Sequence, residues 1–245
     1  MGNSKLLILA GIATLVIGLI ITLPARVAYK WFAPEELKLS GISGSIWYGN
    51  ATQGYAGGIY LKNVKWNFQP LTLLAGKLEF SINSNLASGF IDANVALSID
   101  GSVTMSDVAA AVSLSALQDV LPLGRIQGDL SLQFAHLVIT DGLPSEATGI
   151  LNIANLIPLY LSPTPLGNFR AEFQTTNDGI SASVESISDM LDLAGTITLT
   201  ADRNYQFIAQ ITAKASTPLS ITQQLQFLGR PNLHGQREFR IEGKL

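Results

Sequence analysis

The chain has 245 residues, 47% of them hydrophobic and only 13% charged, with a formal net charge of −3. That balance excludes the basic stripe that nucleic-acid recognition needs, and the absence of cysteine excludes disulfides and thiolate metal sites. Charge well below the ~25% of ordinary soluble domains points to a surface that lies against lipid, a partner or another copy.

The first stretch, Leu6 to Leu23, carries no charge, and its only polar side chains are Thr14 and Thr22. As a helix it reaches about 27 Å, close to the roughly 30 Å hydrocarbon core of a bilayer. Inside hydrocarbon every backbone polar group must be satisfied within its own segment, so a helix is expected. Pro24 stops it, and Arg26, Tyr29, Lys30 and Trp31 supply groups suited to the headgroup layer. A cleaved signal peptide competes with this reading, but its apolar core is usually ~7–15 residues and cleavage wants small residues at −3 and −1. Cutting after Ala25 places Leu23 at −3, and cutting after Ala28 places Arg26 there. A retained single membrane span is the better reading. Charges flanking the span do not vote clearly on orientation. The charge-poor, Ser/Thr/Asn/Gln-rich remainder favours a short cytoplasmic tail with the bulk of the chain outside.

Residues 26–40 read as a juxtamembrane connector, with Tyr29, Trp31 and Phe32 at the interface and a short helical turn at Pro34–Glu36. Beyond Ser40 the hydrophobic period becomes two. The unit Gly-x-apolar-x-apolar recurs at Gly44, Gly76, Gly101, Gly128, Gly149 and Gly195, and begins again at Gly243. Such alternation buries one face of a strand and wets the other, and glycine suits the turn or bulge at its start. Partner strands are expected at Ile59–Phe68, Gly89–Ile99, Asn168–Thr175, Gly179–Ser186 and Tyr205–Lys214. Asn177-Asp178-Gly179 is a hairpin turn between two of them.

Three short helices are expected: Pro70–Ala75, Ser115–Leu121, and Pro218–Leu228 with Thr217 as N-cap. The prolines at 158, 163 and 165 make 155–167 the best internal boundary, although one continuous sheet is favoured. The chain divides into a tail and anchor (1–25), a connector (26–40) and a β-rich periplasmic domain (41–245). Its class is mainly β: an N-terminal single transmembrane helix followed by an antiparallel, curved β-sheet domain with a few short helices.

No nucleophile elbow, P-loop, dinucleotide fingerprint or zinc-type spacing occurs. His136 and His234 are far apart, the first expected in a strand with a local partner and the second exposed. The carboxylates are scattered, and no catalytic, cofactor or metal residue is assigned. Trp47 and Trp66 suit either the core of the sheet or an interface, core packing being favoured.

Three stretches together resemble a known family. Leu23-Pro24-Ala25 closes the anchor, GSIWYG follows at Gly44–Gly49, and VKWNFQPLTLLAGKL follows at Val64–Leu78. The combination resembles protein N of the bacterial type II secretion pathway. The box falls on Gly44, Trp47 and Gly49, with Ser45 where threonine is common. The second segment falls on Trp66, Pro70, Leu73, Leu74 and Gly76. Leu228-Gly229 and Ile241-Glu242-Gly243 are similar more weakly. The resemblance implies a single-span inner-membrane protein with a periplasmic β-rich domain. It would act as a non-catalytic accessory that contacts other secretion components, such as the inner-membrane platform or the outer-membrane secretin.

A membrane-anchored sheet of this style also resembles the AsmA-like envelope proteins, which implies an open groove for lipid acyl chains. One apolar face needs a cover, and phospholipid is therefore the alternative partner.

Overall fold

A computed structural model of the chain describes residues 2–33, 35, 37–98, 100–118, 125–160, 162–188 and 190–244, with side chains from residue 7 onward. Helix α1 spans Gly2–Ile21, starting before the expected Leu6 and ending just short of Leu23. The side chain of Leu6 lies outside the described residues. Among the described residues, which include the side chains of α1 only from Leu7 to Ile21, no helix is long and apolar enough to cross a membrane, so the transmembrane helix expected over Leu6–Leu23 is not found there; this says nothing of strands. Pro24 (φ −66°, ψ 137°) then turns the chain into α2, Ala25–Phe32. This second helix takes up the first part of the connector expected over residues 26–40. Its spacing buries Ala25 and half-buries Tyr29 against the sheet while Trp31 and Phe32 face outward. Pro34 and Glu36, where a helical turn was expected, lie outside the described residues.

The rest is one antiparallel sheet. Its strands are β1 Leu37–Ser40, β2 Ser43–Gly44, β3 Tyr48–Ala56, β4 Ile59–Phe68, β5 Leu78–Leu86, β6 Gly89–Leu97 and β7 Val103–Ser113. They continue with β8 Ile126–Thr140, β9 Leu143–Pro158, β10 Asn168–Thr176, β11 Gly179–Ile187, β12 Leu191–Thr200, β13 Asn204–Ala213 and β14 Arg237–Lys244. The order is β1-β3-β4 and then strictly sequential to β14, with β2 hanging on β3 and, among the described residues, no bond closing the ends. Across the proline-rich segment β9 and β10 still pair, Phe169 opposite Ile153. Leu156 and Leu166 fold that segment back on itself through Leu166 N–H to Leu156 O, 2.8 Å.

Period two does the sorting. In β5, Phe80, Ile82, Ser84 and Leu86 line an inner face, while Asn83 points outward and donates to Asp92 Oδ1 at 2.8 Å. Bulges bend the sheet. Asn63 (φ 50°), Asp107 (φ 51°) and Asn155 (φ 51°) adopt the left-handed conformation at or beside register shifts in β4, β7 and β9. Asn and Asp tolerate that region better than other L-residues, and each extra residue adds twist and a local bend.

Gly76 (φ 71°) and Gly101 (φ 85°) stand in turns just before β5 and β7, as expected, but two other glycines play a different part. Gly149 and Gly195 lie inside strands β9 and β12, not at their starts. A Cβ on Gly149 would meet Gln133 O at 2.4 Å, and one on Gly195 would meet the Ala209 Cβ at 2.7 Å. These glycines let neighbouring strands approach closely. The stretch from Gly44 to Tyr48 is likewise not a strand: β2 ends at Gly44, a turn follows, and β3 starts at Tyr48.

Of the short helices, the first has the expected bounds. Pro70–Ala75 is a 3-10 helix closed by left-handed Gly76 (φ 71°). Leu114–Leu117 is a second, and the expected continuation through Leu121 lies outside the described residues. Helix α3 covers Leu219–Leu225 and runs on as a 3-10 turn over Gln226–Leu228. Thr217 does not cap it. Its hydroxyl donates to the carbonyl of Met190 instead, and Pro218 holds the N-cap position. Ile221 of α3 packs on Leu191, Ala209 and Ile211, covering the last strands of the inner face.

Candidate functional site

The residues of the GSIWYG stretch form a collar that joins the N-terminal helices to the sheet. Gly44 (φ 89°) makes the turn, and a Cβ there would strike Tyr48 O at 2.4 Å. Ser45 N–H bonds Tyr48 O (2.9 Å), Ile46 N–H bonds Leu23 O (3.1 Å), and Pro24 bridges to Ser45. Trp47 Nε1 donates to Ile20 O at 2.9 Å. That carbonyl belongs to the last turn of α1, where the α-helical ladder leaves carbonyls over, and it also accepts from Leu23 N–H at 3.3 Å. Trp66 Nε1 donates to Ser45 O at 3.1 Å from the opposite side. Below the collar, Arg26 Nε reaches Ile42 O at 2.5 Å. The Tyr29 hydroxyl donates to Leu37 O (3.0 Å) and accepts from Leu39 N–H (2.9 Å). Thus α2 is fastened to β1 by an aromatic side chain whose polar end is fully used.

Trp47 and Trp66 have different duties. Trp66 packs on Ala25, Ile42, Ala51 and Val64 and belongs to the core. Trp47 is half-buried at the rim, where its ring lies 4.7 Å from that of Phe68, which in turn lies 5.5 Å from Phe80. The structure therefore gathers Gly44, Trp47, Gly49 and Trp66 into one cluster. It places Pro70, Leu73, Leu74 and Gly76 separately, in the loop between β4 and β5. Leucines 71, 73 and 74 of that loop are 79%, 49% and 90% exposed.

Behind the collar, the inner faces of β1 and of β3 to β8, with the side of α2, line an apolar cavity of about 580 Å³. A single cavity reached from seven strands of one sheet means that this face is concave. The volume falls in the roughly 300–1,000 Å³ range of small-molecule sites. Its walls are aliphatic and aromatic. The polar side-chain groups of the lining residues are occupied: Ser84 Oγ donates to Lys62 O at 3.1 Å, and the Tyr29 hydroxyl and Trp66 Nε1 are held as above. A cavity with no free donor or acceptor suits hydrocarbon and offers no hold to a polar substrate. Alternation in β4 to β7 was legible in the sequence. The cavity was not, because nothing local shows that the bulges curl these strands around a void.

Polar groups elsewhere do not converge. His136 Nε2 pairs with Glu146 Oε2 at 3.1 Å across β8 and β9 on the solvated face. Among the described residues no group of three His, Cys, Asp or Glu is placed to hold a metal ion. The basic residues near the end of the chain are partly engaged, Arg240 with Glu242 (2.8 Å) and Arg237 with Gly229 O.

The sequence model of the family described as type II secretion system, protein N, matches residues 35–240. This chain belongs to that family. Type II secretion system protein N of Vibrio cholerae serotype O1 is 25% identical over 240 residues, covering 94% of both chains. The protein of the same description from Aeromonas hydrophila is 22% identical over 236 residues, covering 93% of each. The Klebsiella pneumoniae protein is 24% identical over 240 residues, covering 92% of this chain and 90% of its own. No solved structure matches. The match takes in the collar, the leucine loop and nearly the whole sheet, and it starts after α2.

Proposed function

We propose that this family member is a non-catalytic accessory of the type II secretion machinery, anchored in the inner membrane by α1, with its sheet in the periplasm. Residues 1–25 would then be the tail and anchor, and residues 41–245 the periplasmic domain. The observation that carries the anchor is the surface of α1. From Leu7 to Ile21 its side chains are exposed and uncharged. Both threonine hydroxyls turn back onto the helix, Thr14 to Ala10 O (2.9 Å) and Thr22 to Gly18 O (2.8 Å). A helix apolar on every side is stable in lipid rather than in water. The open ends of the sheet, β1 and β14, offer unpaired strand groups to a partner chain.

A photo-reactive residue placed at Tyr48, 72% exposed beside the collar, or at Glu242 on β14 tests the secretion reading in living cells. Cross-links to subunits of the platform or secretin support it. Loss of the gene without any loss of exoprotein release sinks it. A reporter fused after Leu245 that works only on the cytoplasmic side sinks the topology.

The cavity favours a second reading, that the domain holds or moves a lipid acyl chain. Hydrocarbon seated there is stabilised by roughly 25 cal/mol per Å² of apolar surface buried. Native mass spectrometry of the full chain should then show a retained phospholipid. Ala110→Phe, which places a ring in the void, should expel it while leaving the circular dichroism spectrum unchanged. A wild-type chain that carries no lipid overturns this reading and leaves the first in place.

A further inference from the structure

The sheet meanders, so its turns fall alternately on two opposite rims. The rim nearest α1 carries the β4–β5 loop and the β6–β7, β8–β9, β10–β11 and β12–β13 turns. Four of these five tips are polar: Asp100-Gly101-Ser102, Asp141-Gly142, Asn177-Asp178 and Ala201-Asp202-Arg203. The fifth, Pro70–Ala75, reads PLTLLA and holds no charge and no buried residue.

This loop is built to present its leucines. The Thr72 hydroxyl donates to Gln69 O at 2.6 Å, Lys77 N–H returns to Thr72 O at 3.1 Å, and Gly76 closes the turn. The polar groups are thereby used inside the loop, leaving Leu71, Leu73 and Leu74 to solvent. Leu78 and Leu97, paired at the adjoining ends of β5 and β6, are 43% and 48% exposed and extend the patch. Its position is tied to the helix: Phe68 N–H bonds Trp47 O at 2.7 Å, and Trp47 in turn bonds Ile20 O. Two residues after Phe68 the loop begins.

We propose that the Pro70–Ala75 loop is a second membrane contact, its leucines inserted into the outer leaflet of the bilayer that α1 spans. The inference rests on the anchor reading above. Exposed apolar side chains without charge, held at the level where a spanning helix leaves the bilayer, have lipid as their neighbour. The four polar turns on the same rim remain in water. The sheet therefore meets the membrane at one corner and leans away from it along the rim toward β14, with the cavity above the contact.

The chain has no cysteine, so single cysteines can be placed and labelled with an environment-sensitive fluorophore. The full-length protein is reconstituted in vesicles of phosphatidylethanolamine and phosphatidylglycerol containing a spin-labelled lipid. Leu74→Cys is the test, Leu15→Cys reports the anchor, Asp141→Cys a polar turn on the same rim, and Ala87→Cys the opposite rim. The expected result is loss of most of the fluorescence to the lipid quencher at positions 74 and 15. Positions 141 and 87 should respond only to aqueous iodide. Quenching at 15 with position 74 behaving like 87 overturns the loop contact and leaves the anchor standing. Absence of lipid quenching at 15 and 74 alike overturns both.

Discussion

The indole of Trp66 occupies the space in which residue 49 would carry a side chain: a Cβ on Gly49 would meet Trp66 Cζ2 at 2.4 Å. Glycine on β3 is thus the seat of the tryptophan on β4, and Trp66 in turn holds the collar through Ser45. Gly49→Ala should destabilise the fold by about 1–3 kcal/mol, as overpacking does. Trp66→Ala should cost about 3–5 kcal/mol. Thermal unfolding of the two variants checks the order, and a silent Gly49→Ala would contradict the packing described.

Tyr29 makes two hydrogen bonds through one oxygen, to Leu37 O and from Leu39 N–H. Tyr29→Phe keeps the ring and strands both backbone groups. A loss of about 1–3 kcal/mol is expected, with faster amide exchange at Leu39 than elsewhere in the sheet. Exchange that is unchanged at Leu39 would show that water already serves these groups.

Asp107 sits in the left-handed region at φ 51°. Asp107→Gly should be tolerated or stabilising, whereas Asp107→Val should cost about 1–2 kcal/mol, because a β-branched residue is poorly accommodated there. Denaturant unfolding of the pair separates a backbone requirement from a charge requirement. Equal losses in both would point to the carboxylate, which accepts from Asn94 Nδ2 at 3.3 Å.

At the β12–β13 turn, the Thr200 hydroxyl bonded to the carboxylate of Asp202 holds its pKa below the ordinary aspartate value. A carboxyl depressed in the folded state adds stability that is present above its unfolded pKa of about 3.9 and is lost as pH falls through the folded value. Asp202 is fully exposed, so the effect belongs to the turn and not to global stability. Measured against its intrinsic rate at each pH, the protection of the Asn204 amide from exchange should fall on acidification below about pH 4 in the wild type. Asp202→Asn should flatten that dependence.

Much of the fold was legible because period two is a local signal. Ile59–Phe68 was read with the bounds of β4, and the hairpin across Asn177-Asp178 was found by its turn residues. The misreadings share a cause. Gly44–Tyr48 alternates like a strand, but left-handed Gly44 and the hydrogen bond from Ser45 N–H to Tyr48 O make it a turn. Helix α2 does not show in the connector read over residues 26–40, because its helical stripe is only Ala25 and Tyr29, too short to stand out beside an aromatic-rich interface pattern. Thr217 looked like a cap from position alone, and a strand-end carbonyl at Met190 outbid the helix for its hydroxyl. Of the family residues, Gly44, Trp47, Gly49 and Trp66 proved to be one structure. That Leu73 and Leu74 face outward could not be read from a run of leucines, which in a sheet protein reads equally well as core.

From β4 onward every strand pairs only with its neighbours in sequence. Assembly can therefore run in one direction, from the collar outward, each new strand zipping onto an edge that is already finished. No strand has to wait for one made later, as a Greek key would require, so loop closure costs little at every step. At any moment a growing chain exposes one unfinished edge beside a completed wall. That limits the time during which bare strands can pair with a stranger.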